Sequence, residues 1–319
     1  MKIRKYISAT LGKFRTYRTI REILKVGIVR SLRWRWLLRR IMGAQPIKTR
    51  PWPDSFSAGE IHILTSADDY LLALWSAWSF YTFSQTDWPL VIHDGGGLAG
   101  YHRRAILALF PAAKIVTESE AADMVKYRLG KLACPNLSTA RDSHVLMRKL
   151  VDFPLFSKTR TIVCLDSDVL FFRMPKDILA RAHVNQSRFC FIRDSHSCYS
   201  ITSEQSERWF GCPLPEKLNS GVCTIPVDGI DYQFLEKAFS PKRIPARGNH
   251  FPEQTALALL SMRTGGPEVF PETYSVATGT PPLDLEVIGA VSRHYVGPVR
   301  YLFFDEGLPV LIKYLGNNK

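Results

Sequence analysis

The chain of 319 residues is long enough for one large α/β domain or two small ones. Its 46% hydrophobic and 22% charged residues exclude wholesale disorder and a polytopic membrane protein. The chain has 42 basic and 29 acidic residues, and residues 1–50 hold 15 of the basic residues but only one acidic residue, Glu22. The rest of the chain is therefore nearly neutral, and no nucleic-acid partner is predicted for it.

The segment from residue 12 to residue 42 carries apolar residues at roughly helical spacing, with arginine and lysine on much of the other face. This pattern predicts one or two basic amphipathic helices in an N-terminal arm, residues 1–44. Its charges are too frequent for a spanning helix, which needs about 20 mostly uncharged residues. Two main interpretations stay open. Trp34, Trp36 and the arginines suit peripheral contact with an anionic membrane, and the same helices could instead pack on the body or on a partner chain. Nucleic acid is a third, weaker alternative for the arm.

A proline-containing linker is predicted at residues 45–58, because Pro46, Pro51 and Pro53 cannot continue a helix. The folded domain is then expected at residues 59–319. The sequence shows no secretory signal pattern, and its six cysteines form no CxxC pair and no zinc-site spacing. Free thiols suit a reducing compartment, so we expect a cytoplasmic protein, peripheral on the membrane face if the arm binds lipid.

In the folded domain, strand-like runs alternate with helical patterns. Strands are predicted at 60–66, 89–94, 114–118 and 161–168, and helices at 68–83, 101–110 and 141–153. This alternation predicts βαβ units and a mainly parallel sheet covered by helices. Ligands of such sheets bind where strands end, and the polar residues at these ends are Thr65-Ser66, His93-Asp94 with glycines 95–97, and Asp166-Ser167-Asp168.

Asp166 and Asp168 follow the apolar run TIVCL, and strand alternation is expected to place both carboxylates on the same side. Two neighbouring carboxylates repel each other unless a cation lies between them, and Mg²⁺ or Mn²⁺ is commonly held by one or two carboxylates and substrate phosphate oxygens. The pair alone is a weak signal, because short acidic pairs are frequent in exposed turns. The apolar residues on both sides strengthen it.

Four motifs occur in order along the chain: LMRKLVDFPLFSKTRTIVCLDSDVLFF (146–172), LNSGVCTIP (218–226), PEQTALALL (252–260) and RHYVGPVRYLF (293–303). Together they resemble the retaining glycosyltransferases of the glycogenin and bacterial lipopolysaccharide galactosyltransferase family. The resemblance runs from about residue 60 to residue 304. It implies the GT-A fold, an α/β, Rossmann-like architecture with a mostly parallel mixed sheet flanked by helices.

The resemblance implies a metal site made by Asp166, Asp168 and His294. An imidazole beside two carboxylates favours Mn²⁺, with Mg²⁺ as the alternative. A lone histidine is more often structural, but Gly297 and Arg300 follow His294 at the family's spacing. Gly297 would let the backbone approach the diphosphate, and Arg300 would neutralise its charge.

The nucleotide-sugar is expected to contact Thr65, Ser66, Tyr70, either Arg148 or Lys149, Asp166, Ser167, Ser220, Gly221, Gly297 and Arg300. Tyr70 could stack on uracil or equally pack on the core. Gln254 would lie near the anomeric carbon, with Glu253 as the alternative catalytic group and Asn219 beside the transferred sugar. Two positions depart from the family pattern: Glu253 replaces an aspartate and Arg300 replaces a lysine, which changes reach and hydrogen-bond geometry.

The resemblance therefore implies transfer of a hexosyl group from a UDP-sugar to an acceptor hydroxyl, with retention of anomeric configuration, on a glycan or lipid-linked acceptor. One alternative is a catalytically inactive GT-A scaffold that binds nucleotide. Another is a sugar nucleotidyltransferase, which should carry a glycine-rich loop with a basic residue after the first strand, where this chain has ILTSADDYLL.

Overall fold

The structure is a computed structural model and describes residues 27–53, 57–183, 188–247, 251–279, 283–285 and 289–317. Residues 12–26 of the predicted amphipathic segment lie outside this part of the chain.

A seven-stranded sheet forms the centre of the molecule. Its strands are β1 (Glu60–Ser66), β2 (Leu90–Gly96), β3 (Lys114–Val116), β4 (Thr161–Leu165), β6 (Cys190–Arg193), β7 (Leu218–Pro226) and β8 (Glu268–Val269). The order across the sheet is β3-β2-β1-β4-β7-β6-β8. Neighbouring strands are parallel except that β7 runs antiparallel to β4 and to β6. The sheet is therefore mixed and mostly parallel, as predicted.

A second sheet of three strands, in the order β5-β10-β9, lies downstream of β4. Its strands are β5 (Val169–Phe171), β9 (Tyr274–Val276) and β10 (Ser292–His294). Helices flank the two sheets: α1 (Ile28–Arg39), α2 (Tyr70–Ser84), α3 (Gly100–Leu109), α4 (Glu118–Lys131), α5 (Pro135–Ser143), α6 (Met147–Phe156), α7 (Lys176–His183), α8 (Ser203–Phe210), α9 (Tyr232–Ala238), α10 (Pro252–Arg263) and α11 (Leu308–Asn317). None of the described helices is long and apolar enough to cross a membrane.

Two sequence predictions for the region before β5 were wrong. The helix expected over 141–153 is two helices, because His144 has an extended backbone and ends α5. The strand expected over 161–168 ends at Leu165, and the two aspartates lie in the turn between β4 and β5.

Helix α1 packs on the folded domain, which was one of the two main interpretations of the arm. The Trp34 ring stacks on Phe304 at 4.7 Å and its Nε1 donates to Asp305 Oδ1 at 2.9 Å. Trp75 Nε1 of α2 donates to the Leu38 carbonyl of α1 at 3.0 Å. The residues of α1 and the following turn that are buried in this way are Ser31, Trp34, Leu37 and Ile41. Trp34, Leu37 and Ile41 therefore belong to the main hydrophobic core.

A buried polar chain crosses β1 and β2. His62 Nδ1 lies 3.0 Å from His93 Nε2, and His62 Nε2 lies 3.0 Å from Glu60 Oε2. The His93 ring packs against Phe153 of α6 at 4.4 Å between ring centroids. His93 Nδ1 has no hydrogen-bond partner among the described residues, so nothing in this part of the chain stabilises a second proton there.

The buried His93 predicts an acid-sensitive fold. Burial lowers its pKa well below the ordinary value, and positive charge nearby, chiefly on His62 and Arg141, lowers it further. The folded state then holds a neutral ring where the unfolded state binds a proton. The free energy of unfolding should therefore fall as pH drops below about 6.5, by up to about 1.4 kcal/mol per pH unit.

Urea unfolding from pH 7.5 to pH 5 measures this slope. His93→Gln should flatten it, whereas His196→Gln, which changes an exposed histidine, should leave it as in the wild type. An unchanged slope in His93→Gln would assign the acid sensitivity to other groups.

Candidate active site

A cavity of about 550 Å³ opens at the carboxyl ends of β1, β2 and β4, beside the first residues of β7. The predicted site residues that line it are Thr65, Ser66, Lys149, Asp166, Ser167, Asp168, Asn219, Ser220, Gly221, Glu253, Gln254, His294, Gly297 and Arg300. Tyr70 and Arg148 are not among the lining residues. The Tyr70 ring packs on His102 at 4.7 Å, and Arg148 bonds to the Asp94 carbonyl and to Glu118.

Asp166, Asp168 and His294 converge, with one ligand atom from each lying within 4.8 Å of the others. Backbone hydrogen bonds hold the turn that carries the aspartates: Asp166 N donates to the Gly221 carbonyl at 2.8 Å, and Tyr295 N donates to the Asp168 carbonyl at 2.9 Å. The turn is thus tied to β7 and to the end of β10. These bonds, and not the expected strand alternation, bring the two carboxylates to the same place.

Gly221 leaves the space that the His294 ring occupies. A Cβ at this position would lie 2.1 Å from His294 Cε1, which is closer than two non-bonded carbon atoms can approach. The glycine of the Asn-Ser-Gly segment is therefore required for the imidazole to reach the aspartates.

Arg300 is the cation closest to Asp168. Its Nε and Nη2 donate to Asp168 Oδ2 at 2.9 and 2.6 Å, and its Nη1 lies 3.4 Å from Asp69 Oδ1. Burial alone would raise the pKa of Asp168, but its interactions with His294 and Arg300 lower it below its ordinary value. Asp168 is therefore a carboxylate at neutral pH. Asp69, in the turn after β1, was not singled out from the sequence, where the acidic pair before α2 looks like an ordinary helix start.

Lys149 occupies the floor of the cavity. Its Nζ lies 2.6 Å from Asp166 Oδ1 and 3.7 Å from Glu253 Oε1. Burial by itself would lower the pKa of Lys149, but the two carboxylates raise it well above its ordinary value. Burial also raises the pKa of Glu253, although Lys149 lowers it in part. Of the two neighbours considered from the sequence, Lys149 is the one that faces the site.

Gln254 has both ends of its amide fixed. Its Oε1 accepts from Ser220 N at 3.1 Å and its Nε2 donates to the Cys198 carbonyl at 2.8 Å. Glu253, one residue earlier on α10, instead accepts from the Ser220 hydroxyl at 3.3 Å and faces Lys149. The first turn of α10 therefore presents one neutral and one acidic group to the cavity.

Apolar residues complete the cavity wall and were not predicted from the sequence. They are Leu64, Val145, Leu146, Phe251 and Val296. Val145 and Leu146 reach the cavity because α5 ends at Ser143, a break that the sequence pattern did not show.

The donor set fits a divalent cation. Two carboxylates and one imidazole suit Mn²⁺ or Mg²⁺, the two carboxylates share one side of the cavity, and Gly221 clears the space for the third ligand.

Comparison with known proteins shows the fold. No protein-family profile matches the sequence, and no curated protein matches it. Among solved structures, the galactosyltransferase LgtC in complex with donor and acceptor sugar analogues is 12% identical, with a TM-score of 0.53 over 81% of this chain and 95% of that chain. Mouse xyloside xylosyltransferase 1 in its apo form is 13% identical, with a TM-score of 0.47 over 74% of this chain and 96% of that chain. The mannosyltransferase Ktr4p from S. cerevisiae is 11% identical, with a TM-score of 0.45 over 76% of this chain and 78% of that chain. The chain has the GT-A fold, as the sequence motifs predicted.

Proposed function

We propose that this protein is a metal-dependent glycosyltransferase that moves a hexosyl group from a UDP-sugar to an acceptor hydroxyl and retains the anomeric configuration. The observation that carries the proposal is the convergence of Asp166, Asp168 and His294 with Gln254 in one cavity at the strand ends of a GT-A fold. Fold alone would permit other chemistry, whereas this side-chain set suits a diphosphate leaving group.

Two kinds of positive charge would face the diphosphate in this proposal. Asp166, Asp168 and His294 would hold Mn²⁺ or Mg²⁺, which would offset the negative charge that develops on the departing diphosphate. Arg300 supplies a fixed cation on the same side, and its guanidinium can form two parallel bonds to phosphate oxygens. Gly297, three residues before Arg300, has a φ of 40°, a backbone conformation that glycine adopts without strain.

A same-face reaction at Gln254 accounts for the retained configuration. A covalent intermediate would need a free carboxylate nucleophile. Glu253, the carboxylate next to Gln254 on α10, is engaged by Lys149 and the Ser220 hydroxyl. Gln254 is neutral and held by two hydrogen bonds, so it can position the sugar without attacking it. The acceptor hydroxyl then enters on the face that the diphosphate leaves.

Calorimetric titration with UDP, with and without Mn²⁺, tests the donor site. An active enzyme of this type should bind UDP more tightly when Mn²⁺ is present, because a metal held by Asp166, Asp168 and His294 would attract the negative diphosphate. An inert scaffold should show no metal dependence, and equal affinity in both titrations would remove the metal from the proposal.

The outward face of α1 supports a peripheral membrane contact. It exposes apolar side chains to solvent: Ile28 by 63%, Val29 by 82%, Leu32 by 61% and Trp36 by 57%. Arg33 and Arg39 are exposed among them, and no acidic residue occurs from residue 27 to residue 53. Apolar and basic side chains together suit the surface of an anionic bilayer. The proposal therefore includes a glycan or lipid-linked acceptor at the cytoplasmic membrane face, a compartment that also suits the six free thiols.

The membrane contact predicts a loss of vesicle binding when the outward face of α1 is changed. Arg33→Gln/Arg39→Gln should weaken binding to vesicles containing phosphatidylglycerol about 30-fold, since each arginine near the surface contributes about 1 kcal/mol. Leu32→Ser/Trp36→Ser should weaken it at least about tenfold through lost apolar burial. Flotation of the full chain measures both effects.

Substituting exposed residues of α1 tests the membrane contact better than deleting the arm, because deletion would also remove Trp34 and Ile41 from the core. The matched control is Tyr127→Ser/Met174→Ser, which removes two exposed apolar side chains elsewhere on the surface. If the α1 variants float like the wild type and like this control, α1 does not bind the membrane.

A further inference from the structure

A chain of hydrogen bonds leads from the end of β6 to His294. Asn219 Nδ2 donates to Asp194 Oδ2 at 2.7 Å, and Asn219 Oδ1 lies 2.9 Å from His294 Nδ1. Gly221 N also donates to Asn219 Oδ1 at 2.9 Å. Asp194 is not among the residues that line the cavity, so it can act on the site only through Asn219.

The chemistry of its two neighbours fixes the orientation of the Asn219 amide. An ionised carboxylate such as that of Asp194 only accepts hydrogen bonds, and the backbone N–H of Gly221 only donates. The amide nitrogen must therefore face Asp194, and the amide oxygen must face Gly221. A flipped amide would lose both bonds.

This orientation requires a proton on one nitrogen of His294. The Asn219 oxygen can only accept, so His294 Nδ1 must donate to it. His294 Nε2 lies 3.1 Å from Asp168 Oδ1 and 3.5 Å from Asp166 Oδ2, and it donates to these carboxylates by the same rule, so its proton is the one that a metal ion would replace. With Nδ1 held by Asn219, the nitrogen that would bind a metal thus faces the two carboxylates.

We propose that Asp194 is a positioning residue for the metal site: through Asn219, it keeps a proton on His294 Nδ1 and holds the ring so that Nε2 is the nitrogen available to the metal. The inference rests on the proposed metal site, and it assigns a role to a residue that the sequence motifs do not contain. It also gives Asn219 a role different from the sugar contact expected from the sequence, since its amide is already engaged by Asp194 and His294.

Mn²⁺ affinity of the full chain, measured by calorimetry in the absence of any nucleotide, tests the positioning role. Asp194→Ala should weaken Mn²⁺ binding about 10- to 100-fold, the range typical for loss of an outer partner of a metal ligand. Asp194→Asn keeps an oxygen that can accept from Asn219 and should stay within about threefold of the wild type. Ser195→Ala is the matched control and should bind Mn²⁺ like the wild type, because the Ser195 hydroxyl contacts Asp194 Oδ1 and not the Oδ2 atom that accepts from Asn219.

A double variant separates positioning from general disturbance. If Asp194 acts through Asn219, Asp194→Ala should weaken Mn²⁺ binding little further in an Asn219→Ala background. Wild-type affinity in Asp194→Ala, a loss in Asp194→Asn as large as that in Asp194→Ala, or full additivity with Asn219→Ala would each overturn the proposal.

The Nδ1 proton itself can be measured without metal, so this inference and the metal site can fail separately. Nitrogen-15 NMR should show a proton on His294 Nδ1 in the wild type and partial loss of that proton in Asp194→Ala. A wild-type ring with no proton on Nδ1 would overturn the positioning role. Absence of Mn²⁺ binding by a wild type with the proton on Nδ1 would overturn the metal site instead.

Discussion

Asparagine in place of Asp168 is expected to abolish metal-dependent transfer while leaving the fold intact. The substitution keeps the shape of the side chain but removes the charge that faces both His294 and Arg300. We expect Mn²⁺ affinity to fall at least about 100-fold and the rate of transfer to fall roughly 10²- to 10³-fold or more, the range seen when one electrostatic stabiliser of a transition state is removed. Release of UDP from the donor at saturating Mn²⁺ measures the rate.

The matched control for this prediction is Asp228→Asn. Asp228 is exposed, follows the far end of β7, and carries the same charge. It should bind Mn²⁺ and turn over donor like the wild type. If Asp168→Asn also kept the wild-type rate, the metal site would not lie at the Asp-Ser-Asp turn.

Replacing Lys149 with methionine is expected to produce the largest loss of stability among single changes in the site. Lys149 is the cation within 4 Å of the buried Glu253 carboxylate, and it also pairs with Asp166. Removing one partner of a buried ion pair costs about 3–5 kcal/mol, because the other charge is left in the protein interior. Thermal unfolding should show a decrease in Tm of roughly 6 °C or more.

A second substitution makes the origin of this loss testable. Lys149→Met/Glu253→Gln removes the stranded charge and leaves an amide that can still accept from the Ser220 hydroxyl, so it should recover much of the stability. Lys176→Met, on the exposed start of α7, should change the free energy of unfolding by less than about 0.5 kcal/mol. A Lys149→Met protein as stable as the wild type, or one that Glu253→Gln fails to rescue, would show that Glu253 is not stabilised by Lys149.

The first strand that borders the site follows closely from the sequence. Buried parallel strands are near-continuous apolar runs, and the run that becomes β1 was recognised with its observed bounds, Glu60–Ser66. Local pattern was enough because the residues on either side are turn formers or begin a helix.

The meeting of Asp168 with His294 could not come from local pattern, since 126 positions separate them. Only the order of four motifs, shared with a known family, predicted that they belong to one site. The pattern also misjudged the turn at the aspartates. There, Val169 N donates to the Asp166 carbonyl at 3.3 Å and closes a turn directly after Leu165.

Helix α1 shows a different limit of sequence analysis. Its apolar residues occur all around the helix, so the spacing did not distinguish the face that packs on Phe304 from the face that carries Trp36. Asp194 gave no signal at all, because its effect depends on Asn219, which lies on the neighbouring strand. Roles that act through a second side chain become visible only when the strands are paired.

Proton NMR of a UDP-hexose incubated with the protein and Mn²⁺ tests the proposed function most directly, because one spectrum reports both cleavage and configuration. We predict Mn²⁺-dependent consumption of at least one UDP-hexose, with the first-formed sugar or glycoside in the same anomeric configuration as the donor. Consumption with inverted configuration would contradict the same-face reaction at Gln254. No Mn²⁺-dependent consumption of any UDP-hexose would contradict the assignment of the protein as a UDP-sugar transferase.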